Sequence, residues 1–259
     1  MAGISEHIPR AALVTGGGQR IGREIALALA GEGFDVAIHC HTNVASAEAT
    51  RGEIRGLGQR AVVLQCDLAQ EPWVQALLPR AAEELGPIGV LVNNASPFER
   101  DEWDNATRAT WDFHIEPGLR APFVLMQQFA RALPDDAEGV VINMLDQRVW
   151  SLTPHFVSYT VAKVGLWALT QTMALALAPR IRVNGIGPGP ALPSTRQTQA
   201  QFDAQAASVP LRHGTSPEEI ARAVLAILAL PAMTGQMLAL DGGQHLQWRS
   251  GQHGPPPEE

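Results

Sequence analysis

Ala11 to Gly22 reads AALVTGGGQRIG: a short apolar run, three consecutive glycines, then the start of a helical pattern. The pattern continues as IGREIALALAGEGF, with Ile21, Ile25, Leu27 and Leu29 apolar and Gly31 and Gly33 as stop signals. Strand, glycine loop and helix in that order make an anion-binding turn. Glycines let the backbone approach a pyrophosphate, and the helix N-terminus offers free N–H groups at its positive end. Glycine turns end many strands, so it is the flanking strand and helix that give the loop its meaning.

Downstream, strands and helices keep alternating. The expected strands are Asp35–His39, Ala61–Gln65, Val90–Val92, Val140–Met144, Ile181–Gly185 and Met237–Leu240. Helices are expected over Ala45–Leu57, from near Glu71, through Thr107–Leu133 with interruptions at Pro117, Gly118 and Pro122, in the segment that carries Tyr159 and Lys163 and continues through LWALTQTMALALA, and from Ser216 or Pro217. Alternation of this kind predicts an α/β, doubly wound parallel sheet of about seven strands with helices on both faces. With no internal repeat and no long linker, residues 1–248 read as one domain, and 249–259, ending GPPPEE, as a disordered tail.

Ligands of such sheets bind at the carboxyl ends of the strands. An acid at the end of the second strand would bind the ribose hydroxyls of NAD, but this chain has His39-Cys40-His41-Thr42-Asn43. A 2′-phosphate meets no repulsion there and Arg20 can reach it, so NADPH is preferred over NADH; the plainer reading makes the His and Thr residues ordinary polar loop. Asp67, directly after the third strand, either lines the ligand crevice or caps the helix near Glu71. Asn93 and Asn94 end the fourth strand, where paired amides can hold a ribose and tie neighbouring strands. Phe98 follows Pro97 and precedes a charged run, which favours a ring turned toward a ligand over a core ring. The polar segment Ser194–Ser208 is a candidate lid.

Asp146 to Lys163 reads DQRVWSLTPHFVSYTVAK. Tyr159 and Lys163 are four apart, on one face of a helix. An ammonium near a phenol favours the phenolate, and a Tyr so placed can exchange a proton with a substrate near neutral pH. By spacing alone the pair reads first as an aromatic and a cation on a solvated face; it is the nucleotide-binding context that selects the chemistry.

Composition excludes other classes. A net charge of −7 and a pI of about 5.6 argue against nucleic acid or an anionic membrane as partner. Cys40 and Cys66 lack metal-ligand spacing and read as reduced core thiols, and no metal site is expected. MAGISEHIPR lacks the apolar run of a signal peptide and no stretch of 18 apolar residues occurs, so a cytoplasmic location is expected.

Taken in order, TGGGQRIG, CDL, NNAS, YTVAK, RVNGIGPG and LDGG resemble the short-chain dehydrogenase/reductase family, over Ala11 to Leu246. The resemblance implies a Rossmann fold, NADP(H) or NAD(H) as cofactor, a homotetramer, Tyr159 as proton donor and Lys163 holding the ribose while lowering the Tyr pKa. It places Thr15, Gly16, Gly18, Gln19, Arg20, Ile21, Gly22, His39, His41, Thr42, Asp67 and Leu68 on the cofactor. To these it adds Asn93, Asn94, Ala95, Ser96, Met144, Pro188 and Gly189.

Three departures narrow it. Asp146 stands where the family has a Ser, Gly118 where it has an Asn, and Arg20 where it has a loop glycine. Together with HxH after the second strand and Phe98 behind NNAS, they are similar to pteridine reductases and bacterial dihydromonapterin and dihydrofolate reductases. That likeness implies a pterin ring between Phe98 and the nicotinamide, with Arg20, Ser96, Asp146, Tyr159 and Pro190 around it. Thr42 departs from this group, which commonly carries an Arg there. The chemistry agrees: an ionised carboxylate at 146 would repel the alkoxide of a ketone reduction but suits the N–H groups of a pyrimidinone. The expected activity is NADPH-dependent reduction of a dihydropterin-like ring. A carbonyl reductase and, from another class, a non-catalytic NADPH sensor are the alternatives; Gly118 is the sensor's only support, and the intact Tyr159–Lys163 pair argues against it.

Overall fold

Successive residues of a strand point to opposite faces of its sheet, and here both sets are apolar, so both faces must be covered. The computed structural model describes residues 3–194 and 196–247; the expected tail at 249–259 lies outside the described residues. The strands are β1 (Ala11–Val14), β2 (Asp35–Cys40), β3 (Ala61–Gln65), β4 (Val90–Asn93), β5 (Gly139–Met144), β6 (Ile181–Pro188) and β7 (Met237–Leu240). They form one parallel sheet in the order β3-β2-β1-β4-β5-β6-β7.

The helices are α1 (Arg20–Gly31), α2 (Val44–Gly56), α3 (Glu71–Leu85), α4 (Arg108–Ile115), α5 (Ala121–Ala132), α6 (Val157–Leu177), α7 (Gln199–Ser208) and α8 (Pro217–Leu228). On one face Val14, Ile38 and Ile142 pack with Ile25 and Leu29 of α1, Ile54 of α2 and Val224 of α8. On the other, Leu13, Leu91 and Val141 pack with Leu77 of α3, Leu125 and Phe129 of α5 and Met173 of α6. Strand order reverses between β1 and β4, so their loops diverge and leave a crevice at the carboxyl edge.

The bounds of the expected strands agree with the observed ones to within three residues, and those of β3 and β7 coincide. β6 extends furthest beyond expectation, because Gly187 and Pro188 pair with Ala239 and Leu240 of β7. The prolines do not break the region 107–133. Glu116–Arg120 forms one π-helical turn between α4 and α5, which absorbs Pro117, while Pro122 sits in the first turn of α5, where its missing N–H is harmless. The segment expected as a lid contains a helix, α7, opened by a capping box between Thr198 and Gln201. α6 is long and apolar enough to cross a bilayer, with a mean hydropathy of 1.2 over its best 18 residues. In this fold it lies against the sheet and buries Leu166, Thr170, Met173 and Ala174.

Candidate active site

A cleft of about 730 Å³ runs along the carboxyl edge from the glycine loop to Tyr159. At its first end the loop between β1 and α1 is held from behind. Gly16 has φ +63°, and a Cβ on Gly22 would fall 2.1 Å from the Gly16 carbonyl oxygen, so the first helical turn packs directly on the loop. Thr15 Oγ1 accepts from the Asn94 and Ala95 amides at 2.9 and 3.0 Å, and Asn94 Nδ2 donates to the Thr15 carbonyl at 2.9 Å.

His39 is a second anchor. Its Nδ1 accepts from the Gly16 N–H at 3.1 Å, so Nε2 carries the proton and donates to the Cys66 carbonyl at 3.1 Å. Burial pushes its pKa down to about 4. Although His39 borders the cleft, both ring nitrogens are engaged by backbone, so it shapes the loop from within.

Two residues expected on the cofactor stand behind the cleft wall. Thr15 is 2 % exposed and turned into the loop. Asn93 is 3 % exposed; its Nδ2 donates to Asn143 Oδ1 at 2.8 Å, and Asn143 Nδ2 donates to Thr170 Oγ1, a chain that ties β4, β5 and α6 together. Of the two roles open to its amide, Asn93 has the one between strands. Asp67 does not cap α3, whose N-cap is Gln70; its Oδ1 accepts from the Ala69 N–H in a local turn at the cleft wall. Gly16, Gly18, Gln19, Arg20, Ile21, Gly22, His41, Thr42, Leu68, Asn94, Ala95, Ser96, Met144, Pro188, Gly189 and Pro190 all line the cleft. The side chain of Gln19, the α1 N-cap, makes no capping bond, leaving the first-turn amides uncovered on that side.

At the other end Tyr159, Lys163, Asp146 and Phe98 converge. The Tyr159 hydroxyl donates to Asp146 Oδ2 at 2.8 Å, and Asp146 Oδ1 accepts from the Arg148 backbone N–H at 2.8 Å. Lys163 is 3 % exposed and its Nζ donates to the Met144 carbonyl at 2.6 Å. Burial pushes its pKa down to about 8, against the pull of Asp146. A Cβ at Gly118, in the π turn, would touch only the Ala162 Cβ at 3.5 Å, an ordinary contact, so a side chain has room to start there.

Phe98 faces the cleft with support from behind. Phe156 stacks on it with centroids 4.6 Å apart and planes within 2°, and Tyr159 meets it edge-on at 4.8 Å. Phe156 has φ +58°, a conformation that costs an L-residue about 1–2 kcal/mol. The surroundings enforce it. The Asp101 carbonyl accepts from the Phe156 N–H, and its carboxylate accepts from Ser158, supplying the cap that Phe156 cannot give α6. His114 completes the bolt: Nε2 accepts from the Glu99 N–H and Nδ1–H donates to Ser158 Oγ at 2.7 Å.

The segment around α7 closes over this end. Arg196 pairs with Glu99 at 2.6 Å and donates to the Phe98 carbonyl at 2.8 Å, while Arg20 donates to the Pro193 carbonyl at 3.0 Å. Sequence reading missed Arg148, Phe156, His114 and Arg196. Thr198-x-x-Gln201 would have revealed α7; nothing local would have revealed that a Phe three residues before Tyr159 adopts a positive φ.

Residues 10–205 match the family described as short chain dehydrogenase. Two solved structures are similar over nearly the whole chain. FolM alternative dihydrofolate reductase 1 of Brucella suis, in complex with NADP, is 46 % identical with a TM-score of 0.90, over 93 % of this chain and 97 % of that one. Its counterpart from Brucella canis, also with NADP, is 43 % identical with a TM-score of 0.90, over 95 % and 98 %. The 3-oxoacyl-[acyl-carrier-protein] reductase FabG of Staphylococcus epidermidis is 29 % identical over 242 residues, 92 % of this chain and 99 % of that protein.

Proposed function

The chain belongs to the short-chain dehydrogenase/reductase family and is an NAD(P)H-dependent reductase, and from that premise we propose that it uses NADPH to reduce a C=N bond of a dihydropterin-like ring. The observation that carries this reading is the carboxylate of Asp146 bonded to the Tyr159 hydroxyl beside the supported face of Phe98.

The residues present fit the cofactor. Where a Cβ on Gly22 would collide, the bare loop and the uncovered first turn of α1 form a cradle for a pyrophosphate. The amides of Gly18 to Ile21 would hold it with Arg20; Asn94, Tyr159 and Lys163 would hold the nicotinamide ribose; Pro188 and Gly189 would border the ring. His41 and Thr42 line the rim with no carboxylate at the end of β2, which supports NADPH over NADH. NADP-bound FolM relatives support the same choice. When bound, NADPH supplies the hydride.

Everything else falls to the chain. Phe98 offers a flat apolar face on which a planar ring can stack. Tyr159 holds the proton at its hydroxyl and gives it to the ring nitrogen as hydride reaches the neighbouring carbon, so that C=N becomes HC–NH. Asp146 orients the phenol, and Lys163, fixed to Met144, keeps a cation near it. A ketone would instead place a developing alkoxide near an anionic carboxylate, which opposes it. Apolar residues exposed on α6, Val161, Val164 and Leu175, support self-association, to be checked by native mass spectrometry.

The test is NADPH oxidation followed by absorbance with 7,8-dihydropterins and, separately, with ketones and 3-oxoacyl thioesters. Turnover confined to pterins is expected. Turnover of ketones or thioesters alone would move the protein to the FabG-like reading, and tight NADPH binding with no turnover of any substrate would make it a sensor.

A further inference from the structure

Arg20, Arg148 and Arg196 stand near the Tyr159 end of a protein with a net charge of −7. Arg20 and Arg196 reach carbonyls and Glu99 and hold the α7 segment in place. Arg148 differs in position. It is 7 % exposed, lines the cleft and stands two residues from Asp146, whose carboxylate fixes its backbone. Its Cζ lies 4.8 Å from the Phe156 centroid and 5.4 Å from that of Phe98, while those centroids are 4.6 Å apart. Such distances put the guanidinium alongside the stack, not on an outer face, so it leaves the cleft face of Phe98 clear. The same Cζ is 5.9 Å from the Tyr159 centroid.

We infer that Arg148 is a specificity-determining residue: its guanidinium donates to a ring oxygen of a flat heterocycle lying on Phe98, next to the nitrogen that Tyr159 protonates. This rests on the pterin-like reading and deepens it. In an oxo-pteridine the carbonyl oxygen at position 4 and the nitrogen at position 5 are peri neighbours, so a guanidinium within 5.9 Å of the Tyr159 ring centroid can address the oxygen while Tyr159 serves the nitrogen. A guanidinium carries five N–H donors and no acceptor. A 4-amino ring would turn its own N–H groups toward it, two donors facing one another. The site therefore selects an oxo edge over an amino edge, and it does so through Arg148 and not through Asp146, which serves the phenol.

The test compares binding of a 4-oxo pteridine (biopterin) and 2,4-diaminopteridine to the NADP⁺-saturated protein by calorimetry, with KM and kcat for dihydrobiopterin alongside. Wild type is expected to prefer the oxo ring. Arg148→Met should weaken the oxo ring about tenfold to a hundredfold, the loss of one charge-assisted hydrogen bond, with the diamino ring held within about threefold. KM should rise while kcat and NADP⁺ affinity hold. Arg148→Lys keeps the cation beside the rings without the fork, and is the second variant should Arg148→Met not fold; it should recover part of the preference. An unchanged oxo/amino ratio in both variants overturns the inference, as does equal weakening of both rings, the mark of a mere prop for the Phe stack. Wild type that discriminates between the rings yet reduces no pterin sinks the proposed activity and keeps this inference; wild type that binds neither ring sinks both.

Discussion

The two ends of the cleft are built by different means. The glycine-loop end is backbone, fixed by polar side chains bonded to that backbone: Thr15, His39 and Asn94 tie the loop to its neighbours along the strand ends. The Tyr159 end is side chains, drawn from residues 96–101, 114, 146–148, 156–163, 190–194 and 196–205 and held by aromatic stacking, two arginines and the Asp101–Ser158–His114 bolt. A backbone cradle can accept little change without losing its ligand. A wall of side chains from many segments can be re-cut one residue at a time. The same framework can thus keep one cofactor and vary the molecule reduced, provided that damage at one end leaves the other intact.

The largest expected effect tests that independence directly. Tyr159→Phe removes the proton while leaving the ring against Phe98, and turnover should fall about 10²- to 10⁴-fold. Asp146→Ala, which removes the phenol's partner and the acceptor of the Arg148 backbone N–H, should cost less turnover than this but far more turnover than NADPH affinity. Both are read from kcat and from NADPH binding by fluorescence; losses of equal size in the two readouts would show that the ends are coupled and the comparison false.

The contrast also explains what could be read from the sequence. The cradle is local: strand, glycines and helix lie within Ala11–Gly31, so its chemistry is written in consecutive residues. Tyr159 and Lys163 are legible for the same reason, four apart on one helix. Phe98 was legible as a residue but not as a surface, since its support comes from Phe156, 58 positions on in the chain. Arg148 and Arg196 carry no motif; their meaning comes from where the segment after Asp146, the α7 segment and the Phe stack meet in three dimensions. Thr15 and Asn93 failed in the opposite way, because position at a strand end does not tell whether a side chain faces the ligand or the next strand.

Proton linkage gives a middle-sized test at the cradle. His39 is held neutral, with its pKa at about 4 against an ordinary 6.5. The unfolded chain therefore binds its proton first as pH falls. The stability contributed by the neutral form is complete above pH 6.5 and is lost progressively down to pH 4, by about 3 kcal/mol at most. Urea unfolding at pH 7 and pH 4.5 should show this loss in wild type and a flatter dependence in His39→Gln. Matching slopes in the two proteins would mean that other groups titrate instead, and that the loop is not held by this imidazole.

The smallest expected effect is the most discriminating. Phe156 is 2 % exposed and holds an unfavourable φ of +58° while its ring lies flat against Phe98. Strained backbone that persists is over-determined by its surroundings, and here the surroundings include the platform on which a substrate would rest. Phe156→Leu keeps an apolar side chain but removes the aromatic pair, worth about 0.5–1.5 kcal/mol. Stability should drop modestly in a thermal melt, and KM for the substrate should rise about two- to tenfold as Phe98 loses its fixed plane, with kcat and NADPH affinity unchanged. A lower melting temperature with an unaltered KM would make Phe156 a core residue like any other. A raised KM at the expected scale would show that the substrate end is tuned from behind its wall, just as the cradle is, but through ring faces in place of hydrogen bonds.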